Sequence, residues 1–172
     1  MKTAIYAGSF DPITNGHVNI VERALKLFDQ VVIVIAKSPT KKSYLSYDER
    51  KKLLNEVFAS HSQVRIDSWD GLIVDYAKNN SINYLVRGLR PTGDFDWEFQ
   101  MASMNRKLSD DLEVVFLITS DQHYYVSSSI VREIAEHAGD ISPFVPAAVM
   151  KFIKNKNLNV DINKSKSKNI KE

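Results

Sequence analysis

The sequence predicts an α/β fold: one doubly wound domain built on a five-stranded parallel sheet. Two observations lead there. Short β-branched runs at Thr3–Ala7, Val31–Ala36, Val64–Ser68, Tyr84–Arg87 and Glu113–Ile118 alternate with longer segments of helical period. The chain also has 172 residues, no internal repeat and no Gly/Ser linker, which suits one domain with a sizeable core. Strand and helix alternating in this way wind right-handed into a Rossmann-like sheet. Ligands of such sheets sit outside the carboxyl ends of the strands, where the strand order reverses.

Helical patterns cover His17–Phe28, Tyr47–Ser60, Ile73–Asn79, Asp94–Leu108, Ser128–His137 and Pro146–Lys154. In the first, Val18, Val21, Ala24, Leu25 and Phe28 recur at three- and four-residue steps and define one buried stripe. The second opens with Ser46 ahead of Asp48 and Glu49, an N-cap followed by acidic residues in the first turn.

The formal net charge of +2 hides an asymmetry. Residues 151–172 carry seven lysines against two acidic residues, whereas residues 1–150 carry sixteen Lys or Arg against nineteen Asp or Glu. The chain is therefore expected to be a domain over 1–160 with a basic, solvated tail over 161–172. Without cysteine, disulfides and thiolate zinc sites are excluded, which fits a reducing cytoplasm. Every apolar run is shorter than a membrane span, so no membrane partner is expected, and because the basic tail reads first as a solvated end no nucleic-acid partner is expected either.

Residues able to bind anions follow several of the strands. Gly8-Ser9-Phe10-Asp11-Pro12-Ile13-Thr14-Asn15-Gly16-His17 is a punctuated turn entering a helix. Thr14 caps that helix, the amides of Asn15, Gly16 and His17 lie at its positive end, and the dipole favours a neutral His17 imidazole. Lys41 and Lys42 follow a Ser-Pro turn after the second strand, where Lys42 reads as solvated. Arg87 and Arg90 bring two guanidinium forks to the end of the fourth strand; the competing reading pairs them with Asp94, Asp96 or Glu98 at the surface. Ser127, Ser128 and Ser129 open a second helix, turning amides and hydroxyls to one spot. There is no Gly-x-Gly-x-x-Gly after the first strand and no P-loop, and His61, His123 and His137 lack metal-ligand spacing.

Thr14-Asn15-Gly16-His17 resembles the (His/Thr)-x-Gly-His signature of the nucleotidyltransferase α/β-phosphodiesterase superfamily. Val126-Ser127-Ser128-Ser129-Ile130-Val131-Arg132 resembles its second signature, Ile-Ser-Ser-Ser/Thr-x-x-Arg. With Arg87-Gly88-Leu89-Arg90 and Met104-Asn105-Arg106, the chain is similar from Ala4 to about Pro146 to the bacterial phosphopantetheine adenylyltransferase family. The resemblance implies transfer of AMP from ATP to the 4′-phosphate of phosphopantetheine, giving dephospho-coenzyme A and pyrophosphate, and Mg²⁺ is expected on the ATP phosphates as in other phosphoryl transfers. It also implies a homohexamer. Carried over residue by residue, it implies a catalytic set of His17, Lys41 and Arg90. Ser9, Lys41, Ile73 (beside Leu72) and Arg87 would meet the pantetheine substrate. Ser9, Phe10, His17, Gly88, Leu89, Arg90, Glu98 and the segment His123, Tyr124, Tyr125, Val126, Ser127, Ser128 and Ser129 would meet ATP. Ser9 stands where some members have threonine and keeps the hydroxyl; His123 stands where some have tryptophan, so no adenine stack is assigned to it or to Tyr124.

Two rivals remain at this point. One is another transferase of the superfamily, acting on nicotinate mononucleotide, glycerol 3-phosphate or flavin mononucleotide. The other is a nucleotide- or RNA-binding protein that uses its basic tail.

Overall fold

The computed structural model describes residues 1–36, 43–90 and 94–156. Lys41, Lys42 and the tail over 161–172 lie outside the described residues. The strands β1 (Thr3–Gly8), β2 (Gln30–Ala36), β3 (Val64–Trp69), β4 (Tyr84–Leu89) and β5 (Glu113–Ile118) form one parallel sheet in the order β3-β2-β1-β4-β5. The chain winds outward from β1 to β3, returns, and continues on the other side of β1 with β4 and β5. The reversal therefore falls between β1 and β4, where Ala4, Ile5 and Tyr6 pair with Tyr84, Leu85 and Val86. A crevice opens at the carboxyl ends of these two strands.

Each expected strand forms, within two residues at its ends, and so does each expected helix apart from looser ends. The helices are α1 (Asn15–Ala24), α2 (Tyr47–Val57), α3 (Ile73–Asn79), α4 (Asp94–Leu108), α5 (Ser128–Glu136) and α6, which is helical across 147–156. α1 ends at Ala24 rather than Phe28, and the chain leaves through turns that still bury Phe28. The stripe on α1 is also shifted: Ile20, Val21 and Ala24 are buried, while Val18 and Leu25 are only partly so. Ile20 is drawn in because it fills the space over Gly88; a Cβ built on Gly88 would stand 3.0 Å from Ile20 Cγ1.

Alternation along β1 divides the core. Ala4 and Tyr6 face the side covered by α1, α2, α5 and α6, with Val131, Val149 and Ile153 fully or almost fully buried. Ile5 and Ala7 face the other side, where Val74, Tyr76 and Ala77 of α3 complete the packing. Burying a side chain of this size stabilises the fold by about 1.5–3 kcal/mol relative to leaving it in water. α4 also lies on this second side, and it leaves Phe95, Trp97, Phe99, Met101, Met104 and Leu108 exposed. No helix among the described residues is long and apolar enough to cross a membrane.

Candidate active site

The crevice at the β1–β4 reversal is a cavity of about 340 Å³. Its walls come from the end of β1, the start of α1, the end of β4, α4 and the turn into α5. Of the residues expected in the site, Ser9, Phe10, His17, Arg87, Gly88, Arg90, Glu98, His123, Val126, Ser127, Ser128 and Ser129 all line it. Leu89, Tyr124, Tyr125 and Ile73 are not among the lining residues. Leu89 turns its carbonyl to the backbone N–H and hydroxyl of Thr119. Tyr125 is exposed, and Ile73 packs against the α3 side of the core. Tyr6 and Thr119 join the lining unassigned by the sequence reading. A hydroxyl on an otherwise apolar central strand was the available signal for Tyr6.

Thr14 is the N-cap of α1, with extended backbone dihedrals, and His17 completes a capping box with it. The Thr14 backbone N–H donates to His17 Nδ1 at 3.0 Å, and Thr14 Oγ1 lies 2.9 Å from the same nitrogen. A nitrogen that accepts the backbone N–H carries no proton itself, so the neutral ring keeps its proton on Nε2 as a donor. The imidazole packs edge-on against Phe10, with centroids 5.2 Å apart. Its pKa is lowered to about 4, first by burial and then by the positive charges of Arg90 and Arg87. Burial and the two arginines thus favour the neutral ring in addition to the helix dipole.

The two helix ends are more committed than their sequence suggested. At α1, the Asn15 N–H donates to Phe144 O at 2.8 Å and the His17 N–H to Thr14 Oγ1 at 3.4 Å, which leaves Gly16 as the open amide. At α5, Ser127 Oγ accepts from the Ile130 N–H, Ser128 Oγ donates to Pro12 O at 2.8 Å, and Ser129 Oγ accepts from Arg132 Nη2 at 3.1 Å. The Ser128 hydroxyl thus ties α5 to the β1–α1 turn, the Ser127 and Ser129 hydroxyls are used within α5, and the amides of Ser128 and Ser129 are what the helix end offers an anion.

Arg87 makes the pairing that the competing reading foresaw, but inside the cavity rather than on an open surface. Its Nε donates to Glu98 Oε2 at 2.7 Å, its Nη2 to Glu98 Oε1 at 2.5 Å, and its Nη1 to Ala7 O at 2.9 Å. The fork is thereby fixed in the wall. Arg90 lines the same cavity, close enough for its charge to act on both His17 and Tyr6. Burial raises the Tyr6 phenol well above its ordinary pKa, so it remains protonated. His123 presents a buried Nδ1 with no protein partner to this lining. The arrangement suits a polyanion: two guanidinium groups, helix-end amides and a neutral imidazole donor converge on one space.

Comparison with known proteins agrees with this geometry. The family described as Cytidylyltransferase-like matches residues 5–134. The chain is 44% identical over 155 residues to the phosphopantetheine adenylyltransferase of Anaeromyxobacter sp. (strain K), covering 90% of this chain and 94% of that one. It is 42% identical over 156 residues to the phosphopantetheine adenylyltransferase of Alkaliphilus metalliredigens (strain QYMF), covering 91% and 99%. The chain belongs to the cytidylyltransferase-like family and, within it, to the phosphopantetheine adenylyltransferases.

Proposed function

We propose that this protein transfers AMP from ATP to the 4′-phosphate of phosphopantetheine, giving dephospho-coenzyme A and pyrophosphate, a step of coenzyme A synthesis. The observation that carries the reading is His17, held neutral with its proton on Nε2 between two helix N-termini and two arginines. An oxygen of the acceptor phosphate attacks the α-phosphorus of ATP, and the bond from that phosphorus to the bridging oxygen breaks. Pyrophosphate leaves with the electron pair. The acceptor phosphate is already ionised near neutral pH, so no general base is needed. The protein's work is to align two anions and to stabilise charge as it develops.

In this reading His17 Nε2 donates to the α-phosphoryl oxygen as charge builds, and Arg90 with the Ser128 and Ser129 amides holds the triphosphate. Arg87 and Ser9 meet the acceptor, with Lys41 as a further cation for it. The orphaned His123 Nδ1 is a contact point for the nucleotide. Mg²⁺ enters with the nucleotide substrate, carried on its phosphates. We assign the protein to the cytoplasm on its cysteine-free composition. A homohexamer is part of the proposal, supported by the apolar α4 surface that one chain leaves uncovered. So is the division into a domain over 1–160 and a basic tail.

The test is pyrophosphate release from ATP with phosphopantetheine as acceptor. Pantetheine lacks the attacking phosphate and is expected to be inert; turnover equal to that of phosphopantetheine overturns the chemistry. Nicotinate mononucleotide, glycerol 3-phosphate or flavin mononucleotide as better acceptors, or CTP as the better donor, assigns the chain to another activity of the superfamily. Deleting residues 161–172 should leave turnover intact, whereas an RNA-binding protein relying on its tail would lose binding.

A further inference from the structure

Arg50 on α2 carries a permanent cation, yet the residue is only 6% exposed. Among the described residues no carboxylate forms an ion pair with it. Its partners are two backbone carbonyls: Nε donates to Ser46 O at 3.4 Å and Nη1 to Ser9 O at 2.9 Å. A buried charge without a counter-charge is costly, and the shorter of its two bonds holds a peptide 41 positions away in sequence. Ser9 O belongs to the Ser9–Phe10 peptide, whose orientation is coupled to φ of Phe10. That φ is +47°, in the left-handed region that a phenylalanine rarely adopts. Such a conformation persists where contacts from outside over-determine it. The neighbouring contacts point the same way: the Asp11 carboxylate accepts from the Tyr44 and Leu45 amides at 2.8 Å each, and Arg132 Nη1 donates to Asp11 O.

We propose that Arg50 is a positioning residue for the adenylyl transfer, acting through the Ser9–Phe10 peptide. Its hydrogen bond draws the Ser9 carbonyl toward α2 and away from the cavity. In a trans peptide the Phe10 N–H then points the opposite way, toward the space that Ser9 and Phe10 line. Among the described residues that N–H donates to no backbone or side-chain acceptor, so it is presented to an anionic substrate. The same restraint sets the Phe10 ring, which is almost fully buried and meets the His17 ring edge-on at 5.2 Å and the Tyr6 ring at 5.4 Å. Arg50 therefore bears on the imidazole through one peptide and one phenyl ring.

This inference rests on the adenylyl-transfer reading, and the experiment separates the two. The parent protein is first shown to release pyrophosphate from ATP and phosphopantetheine; if it does not, the reaction has been misassigned. Arg50→Lys, which keeps charge and stem, and Arg50→Met are then compared with the parent in turnover, in KM for each substrate and in melting temperature. The expected result is a kcat lowered about three- to tenfold by lysine and about ten- to a hundredfold by methionine, measured well below the melting transition. In a His17→Ala background the lysine substitution should cost measurably less than in the parent, because the part of its effect that passes through the Phe10 ring to the imidazole is already lost. A role in stability alone predicts a lowered melting temperature with kcat unchanged. If kcat of Arg50→Lys stays within about twofold of the parent, or if its effect is fully additive with His17→Ala, the proposal is overturned. Both criteria use the lysine variant, so they hold even if the methionine variant fails to fold. Amide hydrogen exchange over residues 8–17 of the free protein gives a reading independent of the acceptor: faster exchange in the lysine variant supports positioning, and unchanged protection overturns it.

Discussion

The two faces of the sheet are built to different standards. On the α1 side, four helices close over Tyr6, Ile33 and Val86, and the helix that carries His17 buries Ile20, Val21 and Ala24. On the α3 side, the outer helix α4 stacks Phe95 on Phe99 at 5.9 Å, yet leaves both rings more than half exposed. Trp97, Met101, Met104 and Leu108, at helical steps along the same element, form an uncovered stripe. The active site straddles this divide. His17 and the two helix ends rest on the closed face, while Glu98 brings α4 of the open face against Arg87. The groups proposed to stabilise charge thus rest on the chain's own core, and the hold on Arg87 depends on a helix that one chain does not fully seat.

The largest effect expected from this contrast belongs to the closed face. In the proposed mechanism His17→Ala removes a fixed donor to developing charge, a loss that typically costs ~10² to 10³ in turnover. Single-turnover rates with saturating ATP, Mg²⁺ and phosphopantetheine should fall at least about a hundredfold, with ATP affinity within about tenfold of the parent. A rate within about threefold of the parent removes His17 from the catalytic set. Next in size is the bridge across the divide. Glu98→Gln keeps the shape but gives up the charge of the Arg87 clamp, and should raise KM for phosphopantetheine by roughly tenfold with a smaller effect on ATP. If ATP affinity falls more, Glu98 serves the nucleotide first. Smaller still for turnover, Trp97→Ser with Phe99→Ser should, if the proposed homohexamer packs through this face, shift the protein to a smaller species in sedimentation while lowering kcat only about two- to fivefold. An unchanged sedimentation coefficient means that the open face is not where copies meet.

The same contrast governs what the sequence discloses. β-branched runs and helical periods fix all five strands and the winding because they depend on local pattern and burial. The capping threonine and the Ser127–Ser129 turn are likewise local, and they occur where the spacing places them. The partners of those groups are not local. Ser128 Oγ meets Pro12 O across 116 positions and Arg50 meets Ser9 O across 41, so the sequence shows the hydroxyl and the arginine but not that they are spent on locking a turn. Helical spacing identifies α4 yet does not say which of its faces the chain covers. Lys41 is legible only through the family pattern and lies outside the described residues.

The last effect concerns pH rather than turnover at neutral pH, and it probes the closed face alone. In the unfolded chain an imidazole takes up its proton near pH 6.5, whereas His17 in the folded protein does so only near pH 4. Between those values the unfolded state binds the extra proton, so stability falls as pH is lowered from about 6.5 toward 4; above 6.5 His17 contributes no slope. His17→Asn retains an acceptor for the Thr14 N–H and cannot titrate. That linkage amounts to about 2 kcal/mol between pH 7 and pH 5, so the melting temperature of the parent should drop roughly 4–7 °C more than that of the asparagine variant. Turnover should follow a different group. The acid limb of kcat/KM should lie near the second ionisation of the acceptor phosphate, about pH 6, and should keep that position in the slow asparagine variant. If the two proteins melt in parallel across this interval, His17 is not held neutral by its surroundings. If the acid limb moves in the variant, His17 exchanges a proton during the reaction, and the imidazole is an acid or base rather than a fixed donor.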